Sequence, residues 1–369
     1  MKSELFDIYR DKRVLVTGHT GFKGGWLSQW LISLGAKVSG IALPPDGEIS
    51  LFDQLQLENK LNHHLCDIRE YEPLKELLGV LRPEVIFHLA AQPLVRESYN
   101  TPRETVETNV MGTLNLLEAV RTLNLSTTIV VVTSDKSYEN QEWMFGYREN
   151  DPMGGYDPYS ASKGACEVLT ASWRDSFFNP ADYSKHGVKL ATVRAGNVIG
   201  GGDWATDRIV PDCMRALLAG QTIHVRNPLA TRPWQHVLEP LGGYLRVGEK
   251  LLSTEQHSEL KTLCSPFNFG PLIGSNKTVE RLVEEVLLVW GKGKWTYEKQ
   301  HAVHEASLLN LTIDKAYHLL GWYPVWDFKK TIKRTVDWYR TYKEEPSAIP
   351  DLTMQQIREY MMSFNRNRN

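Results

Sequence analysis

The stretch Val14-Leu15-Val16-Thr17-Gly18-His19-Thr20-Gly21-Phe22-Lys23-Gly24-Gly25-Trp26-Leu27 decides the fold. It opens with a short β-branched apolar run, passes through three glycines spaced G-x-x-G-x-x-G, and enters a segment where Leu27, Trp30, Leu31 and Leu34 recur at helical intervals. Strand, tight glycine turn and helix therefore follow one another. Glycine in such a turn admits positive φ and lets backbone N–H groups approach a phosphate at the positive end of the following helix. Three glycines alone would mark only a tight turn. The flanking strand and helix favour a dinucleotide site over Gly18, Thr20, Gly21, Phe22 and Gly24.

The same theme repeats along the first half. Lys37-Val38-Ser39-Gly40-Ile41, Val85-Ile86-Phe87-His88-Leu89, Ile129-Val130-Val131-Val132-Thr133 and Leu190-Ala191-Thr192-Val193 are short, nearly continuous apolar runs, as strands covered on both faces should be. Helical stripes such as Leu74, Leu77, Leu78 and Leu81 lie between them. The pattern predicts an α/β fold with a Rossmann-type doubly wound parallel sheet over 1–195. Beyond it the alternation fails and Gly, Pro and Trp become frequent. A smaller C-terminal substrate-binding lobe is expected over 196–231 and 253–360, with a segment near 232–252 returning to the first lobe. Residues 361–369, ending in Asn365-Arg366-Asn367-Arg368-Asn369, read as a disordered polar tail.

Composition narrows the function classes. The 369 residues carry 42 basic and 44 acidic side chains, a formal charge of −2, without the basic excess of a general nucleic-acid binder. No run of about 18 apolar residues suggests a membrane span, and the charged start, Met1 to Arg13, has no secretory pattern. Four scattered cysteines without a C-x-x-C pair suggest neither zinc nor disulfides, so a cytoplasmic enzyme is expected.

An acid often ends the second strand of a dinucleotide fold and holds the adenosine ribose. Here Ile41 runs into Ala42-Leu43-Pro44-Pro45, and the nearest acid is Asp46. Asp67, with Ile68 beside it, is a candidate for the adenine end and equally for a helix cap. Tyr-x-x-x-Lys puts a phenol and an ammonium on one helix face, where the cation can favour a tyrosinate base. The pattern occurs three times, at Tyr71/Lys75, Tyr159/Lys163 and Tyr339/Lys343. Tyr159 alone opens a helix following the strand that ends in Ser134-Asp135-Lys136, so Tyr159 and Lys163 are the catalytic candidates. The other two are expected to be surface pairs.

Gly18-x-x-Gly21-x-x-Gly24, His88-Leu89-Ala90-Ala91 with Gln92, Asn109, Thr133-Ser134-Asp135 and Tyr159-x-x-x-Lys163 together resemble the extended short-chain dehydrogenase/reductase family over about the first 200 residues. Arg194-Ala195-Gly196-Asn197-Val198-Ile199-Gly200 and Arg208-Ile209-Val210-Pro211-Asp212 look like its sugar-nucleotide segments. The resemblance implies NAD as cofactor, held by Leu89, Ala90, Ala91, Gln92, Asn109, Thr133, Tyr159 and Lys163 besides the glycine turn. It implies a nucleotide-sugar substrate, CDP-D-glucose, contacted by Asn197, Arg208, Pro211, Arg232 and Asn268. Sugar-nucleotide 4,6-dehydratases usually carry Thr-Asp-Glu where this chain has Ser134-Asp135-Lys136. By that likeness Tyr159, helped by Ser134 and Lys163, would take the 4-hydroxyl proton, Asp135 would protonate the leaving 6-hydroxyl, and Lys136 would remove the C5 proton. A homodimer through helices near 104–120 and 160–178, or a tetramer, is also implied, as is a place in 3,6-dideoxyhexose and O-antigen synthesis. An epimerase or reductase on the same fold would need no acid and base at 135 and 136. A silent nicotinamide-binding protein would need none of these groups.

Overall fold

In the computed structural model, which describes residues 5–297 and 308–366, the first half of the chain is organised by one parallel sheet. Its strands are β1 (Arg13–Thr17), β2 (Lys37–Ala42), β3 (Asn62–Leu65), β4 (Val85–His88), β5 (Thr128–Val132), β6 (Lys189–Ala195) and β7 (Phe267–Phe269). They lie in the order β7-β6-β5-β4-β1-β2-β3. The chain order reverses between β1 and β4, and a crevice opens there at the carboxyl ends of the strands.

Alternation along each strand splits the core. Leu15, Ile86, Ile129, Val131 and Leu190 face one side, where Leu74 and Leu78 of α2 (Tyr71–Leu81) and Leu116, Leu117 and Val120 of α3 (Gly112–Thr122) cover them. Val14, Val16, Phe87, Val130, Val132 and Val193 face the other, against Trp26, Leu27, Trp30 and Leu31 of α1 (Phe22–Ser33). Helix α4 (Pro158–Ser176) runs beside α3.

The second half adds α5 (Ile209–Leu218), α6 (Leu238–Ser253), α7 (Val279–Trp290), α8 (Phe328–Glu344) and α9 (Ile349–Arg366), with short strand pairs such as Thr231–Pro233 against Asn276–Thr278. Helix α6 packs beneath β5 and β6. Strand β7 also returns and extends the first sheet beside β6.

Two expectations need correction. The polar tail assigned to 361–369 is helical as far as Arg366, because Ile357, Tyr360 and Phe364 form a buried stripe, and Tyr360 packs on Trp30 and Trp326. Residues 367–369 lie outside the described residues. Tyr339 is no surface residue: it is fully buried and donates to the Asp203 carbonyl at 2.5 Å.

Candidate active site

At the end of β1 the backbone turns through Gly18 at φ +74°, and a Cβ there would stand 2.8 Å from the Ala90 nitrogen. A Cβ on Gly24 would meet the Gly18 carbonyl oxygen at 2.1 Å. Both positions exclude any side chain: at Gly18 the turn is pressed against the strip that leaves β4, and at Gly24 the start of α1 is pressed against the turn's own backbone. Gly21 caps α1 and offers no side-chain acceptor to its first N–H groups, which suits a phosphate.

The strip itself is pinned from below. Thr17 Oγ1 accepts from the Leu89 and Ala90 nitrogens at 3.1 and 3.2 Å and contacts His88 Nδ1 at 2.8 Å. Thr113 donates to the Asn109 carbonyl, so the 3.1 Å contact to Thr113 is donated by His88 Nε2, and Nδ1 accepts from Thr17. Burial lowers His88 to about 3, which keeps it neutral in this relay. Asn109 is committed to protein partners: its side chain accepts from the Gln92 nitrogen and donates to the Gln92 carbonyl and Ser162 Oγ, and Ser162 donates to the Tyr159 carbonyl. It ties the Leu89–Gln92 strip to α4. Thr133 turns its hydroxyl inward to Glu167, and Thr20 donates to the Leu43 carbonyl. Ile68 is buried, its carbonyl held by Asn115.

Asp46 lies in an exposed loop, and Asp67 is engaged by Arg69 at 2.6 Å through the guanidinium and at 2.9 Å through the backbone nitrogen. His19, unassigned from sequence, is buried with its Nε2 2.6 Å from His63 Nδ1.

Strand β5 delivers Ser134, whose Oγ accepts from the Lys136 nitrogen at 3.2 Å and donates to Asp135 Oδ1 at 3.1 Å. Helix α4 begins where Asp157 accepts from the Ser160 nitrogen and Pro158 fills its first position. That start puts Tyr159 and Lys163 on one face, with Lys163 Nζ donating to the Val132 carbonyl at 3.3 Å. Burial pushes the Tyr159 phenol up to about 12, although a hydrogen bond with Ser134 and the charge of Arg208 hold it down. Burial likewise raises Asp135, against Lys136, Ser134 and Lys23, and lowers Lys163. Lys23, from the glycine turn, is lowered to about 8 by burial and by Arg208, with Asp135 opposing.

Arg208 pairs with Asp203 at 3.0 Å and stands close enough to bear on both Tyr159 and Lys23. Pro211 follows in the first turn of α5. Gly196 lets Asp135 and Pro233 approach, since a Cβ there would be 3.0 Å from Asp135 Oδ2 and 3.2 Å from Pro233. Asn197 and Arg232 are the chain neighbours of Gly196 and Pro233. Asn268 does not reach the crevice: it is fully buried, accepts from Tyr138 and donates to the Tyr147 carbonyl, so both ends of its amide are used. Trp234 is packing, with Nε1 on the Lys277 carbonyl. The cavity of about 480 Å³ lined by Lys277, Arg281 and Trp326 holds none of these catalytic candidates.

None of Lys23, Tyr138, Glu167 and Arg194 receives an individual role from the sequence. Only Lys23 carried a local signal, a cation inside a phosphate-type turn. Among the described residues, no cluster of His, Cys, Asp and Glu could hold a metal ion, and no helix is long and apolar enough to cross a membrane.

The sequence model for GDP-mannose 4,6-dehydratase matches residues 15–335. The CDP-glucose 4,6-dehydratase of Salmonella typhimurium is 47% identical over 362 residues, covering 98% of this chain and 99% of that protein. A dTDP-glucose 4,6-dehydratase of Xanthomonas campestris is 26% identical over 91% of this chain and 95% of its own length. Among solved structures, epimerase Mth375 of Methanothermobacter thermautotrophicus superposes with a TM-score of 0.76 at 21% identity, covering 96% of both chains. The dTDP-glucose 4,6-dehydratase of Bacillus anthracis, solved with NAD, gives 0.74 at 21% identity, covering 90% of this chain and 97% of that one. With its glycine turn, Tyr159/Lys163 pair and full-length likeness, the chain belongs to the GDP-mannose 4,6-dehydratase family, within the extended short-chain dehydrogenases/reductases.

Proposed function

We propose that the chain is an NAD-dependent 4,6-dehydratase that converts CDP-D-glucose to CDP-4-dehydro-6-deoxy-D-glucose and water. The carrying observation is Asp135 with Lys136 beside Ser134 and Tyr159: of the protein's acid–base groups, hydride exchange with NAD at C4 needs only the phenol, whereas loss of water across C5 and C6 needs a further acid and base. Likeness over nearly the whole length to the Salmonella CDP-glucose enzyme supports the choice of nucleotide.

The glycine turn and the free start of α1 suit the NAD pyrophosphate, and the Leu89–Gln92 strip borders it. When bound, the nicotinamide supplies reversible two-electron chemistry, taking the pair from C4 and returning it at C6. Tyr159 takes the 4-hydroxyl proton, and Ser134 holds the phenol. With burial pushing that phenol up to about 12, a tyrosinate at neutral pH needs more positive charge than Arg208 provides, and oxidised nicotinamide carries such a charge. The C4 ketone acidifies C5, Lys136 removes the C5 proton, and Asp135 gives its proton to the departing 6-hydroxyl. Raised by burial, Asp135 retains that proton at higher pH than an exposed aspartate. Arg208 and Arg232 are suited to diphosphate oxygens.

The enzyme works in the cytoplasm on precursors of 3,6-dideoxyhexoses for O-antigen. It works as a homodimer through α3, α4 and the segment before α3, where Val106, Met111, Val168 and Phe177 leave apolar side chains exposed.

Incubation with CDP-, dTDP-, GDP- and UDP-glucose tests the reading. A 4-keto product should form from CDP-glucose, with solvent deuterium at C5 and a label placed at C4 recovered at C6. Product without migrated label, or product only from another nucleotide, refutes it.

A further inference from the structure

Arg194 lies in β6 and is 3% exposed. Its guanidinium forks onto Glu167, with Nε on Oε1 at 2.8 Å and Nη2 on Oε2 at 2.9 Å. The remaining Nη1 donates to the Tyr138 hydroxyl at 2.6 Å and to the Glu149 carbonyl at 3.0 Å. Tyr138 in turn donates a hydrogen bond to Asn268 Oδ1 at 2.8 Å, and Asn268 Nδ2 donates to the Tyr147 carbonyl at 2.9 Å. Burial raises the Tyr138 phenol beyond its usual range, so it stays neutral and can accept and donate at once.

This buried series touches both segments that carry the chemistry. Glu167 follows Lys163 by one helical turn on α4. Tyr138 stands two residues beyond Lys136, and Thr133, which donates to Glu167, directly precedes Ser134. Buried ion pairs add little net stability compared with well-packed apolar residues. What this one supplies is direction: planar fork, phenol and amide each accept one geometry.

We infer that the contact from Arg194 to Tyr138 is a positioning device that sets the Ser134–Tyr138 loop against Tyr159 and Lys163. The phenol then meets C4 while Asp135 and Lys136 meet C6 and C5. Tyr138 and Arg194 touch neither substrate nor cofactor in this role. The inference rests on the dehydration proposed above, whose two halves use the two segments separately.

Tyr138→Phe keeps the ring, which lies 4.8 Å from the Arg194 guanidinium and 5.0 Å from the Tyr147 ring, and removes only the hydroxyl. The KM for CDP-glucose should stay within about twofold, and product formation should fall about 10- to 100-fold, the scale of a misplaced catalytic group. A larger share of the enzyme should hold reduced nicotinamide in steady state, and solvent deuterium should enter C5 more slowly relative to C4 oxidation. Tyr147→Phe is the structural control, since among the described residues its hydroxyl bonds Asn140 and the Gln141 nitrogen alone. It should lower the Tm without changing that partition. Wild-type partition in Tyr138→Phe overturns the inference, as does an equal shift in Tyr147→Phe. Should Tyr138→Phe not fold, Arg194→Lys is read in the same way, because it keeps a charge opposite Glu167 and loses the fork. Wild-type enzyme runs alongside: its failure on every sugar nucleotide overturns the reaction and the inference with it. A working wild type with an unchanged Tyr138→Phe overturns the inference alone.

Discussion

Glu167 in α4 and Glu239 in α6 are both buried carboxylates, 4% and 0% exposed, yet they end on opposite sides of the ordinary glutamate range. Glu167 is gripped by Arg194 and takes hydrogen bonds from Thr133 and Thr192, and these hold it below that range despite burial. Glu239 accepts from the Val325 and Trp326 nitrogens at 2.9 and 2.7 Å and from Tyr360 at 3.0 Å, and burial still pushes it up to about 8. Three good neutral donors soften desolvation without cancelling it, whereas one bidentate guanidinium reverses its outcome. The first environment fixes an anion one turn beyond Lys163 on α4. The second joins α6, the 325–326 segment and α9 through a group ready to hold a proton. Asp135 sides with Glu239, raised by burial against cations that offset only part of the penalty, and in the proposed dehydration the retained proton has a use.

Asp135→Asn should produce the largest effect. Dehydration should fall about 10²- to 10⁴-fold, the usual weight of a general acid, while C4 oxidation persists. In the wild type the elimination step should decline as pH rises through the raised Asp135 value, because the protonated form acts; the variant should lack that limb. An Asn variant that eliminates water at the wild-type rate would remove Asp135 from the acid role.

Breaking the Glu167–Arg194 pair from one side, as Glu167→Gln or Arg194→Met, should cost about 3–5 kcal/mol in urea unfolding, because a buried charge loses its partner. The double variant should cost clearly less than the sum. Strict additivity would mean that the two charges do not sustain each other.

Glu239→Gln sharpens the contrast most gently. Its folded value of about 8 exceeds the ordinary 4.5, so above the lower value the folded protein keeps a proton that the unfolded chain has released. Stability should therefore decline as pH climbs from the lower value to the higher, by on the order of a few kcal/mol. The variant's unfolding free energy should vary less over that window. An unchanged slope would show that Glu239 is not the group responsible.

Glycine turn, five apolar strands and the Tyr159/Lys163 pair were legible because each is written in a few neighbouring residues. Periods of two and of 3.6 reveal which faces are buried, and a G-x-x-G-x-x-G turn between strand and helix has few other uses. Strand β3 escaped because Asn62-His63-His64-Leu65 lies at the sheet edge, half exposed, and shows no apolar run. The stripe of Ile357, Tyr360 and Phe364 was present, but the polar residues after it drew the reading toward a loose tail.

The doubly wound sheet, the phosphate-type turn and the Tyr159/Lys163 pairing are written in the sequence, whereas the acid and base roles of Asp135 and Lys136 rest on the family resemblance and belong to the proposed reaction. Tertiary structure decided which polar residues face the crevice and which are consumed inside the protein. Asn268 looks as suitable for a sugar as Asn197 until Tyr138 and Tyr147 close on both ends of its amide. Arg194 and Glu167, 27 residues apart in the chain, become one unit only when β6 and α4 meet. Hydrogen bonds and desolvation depend on atoms within a few ångströms in space, and in a doubly wound fold those atoms come from segments far apart in sequence.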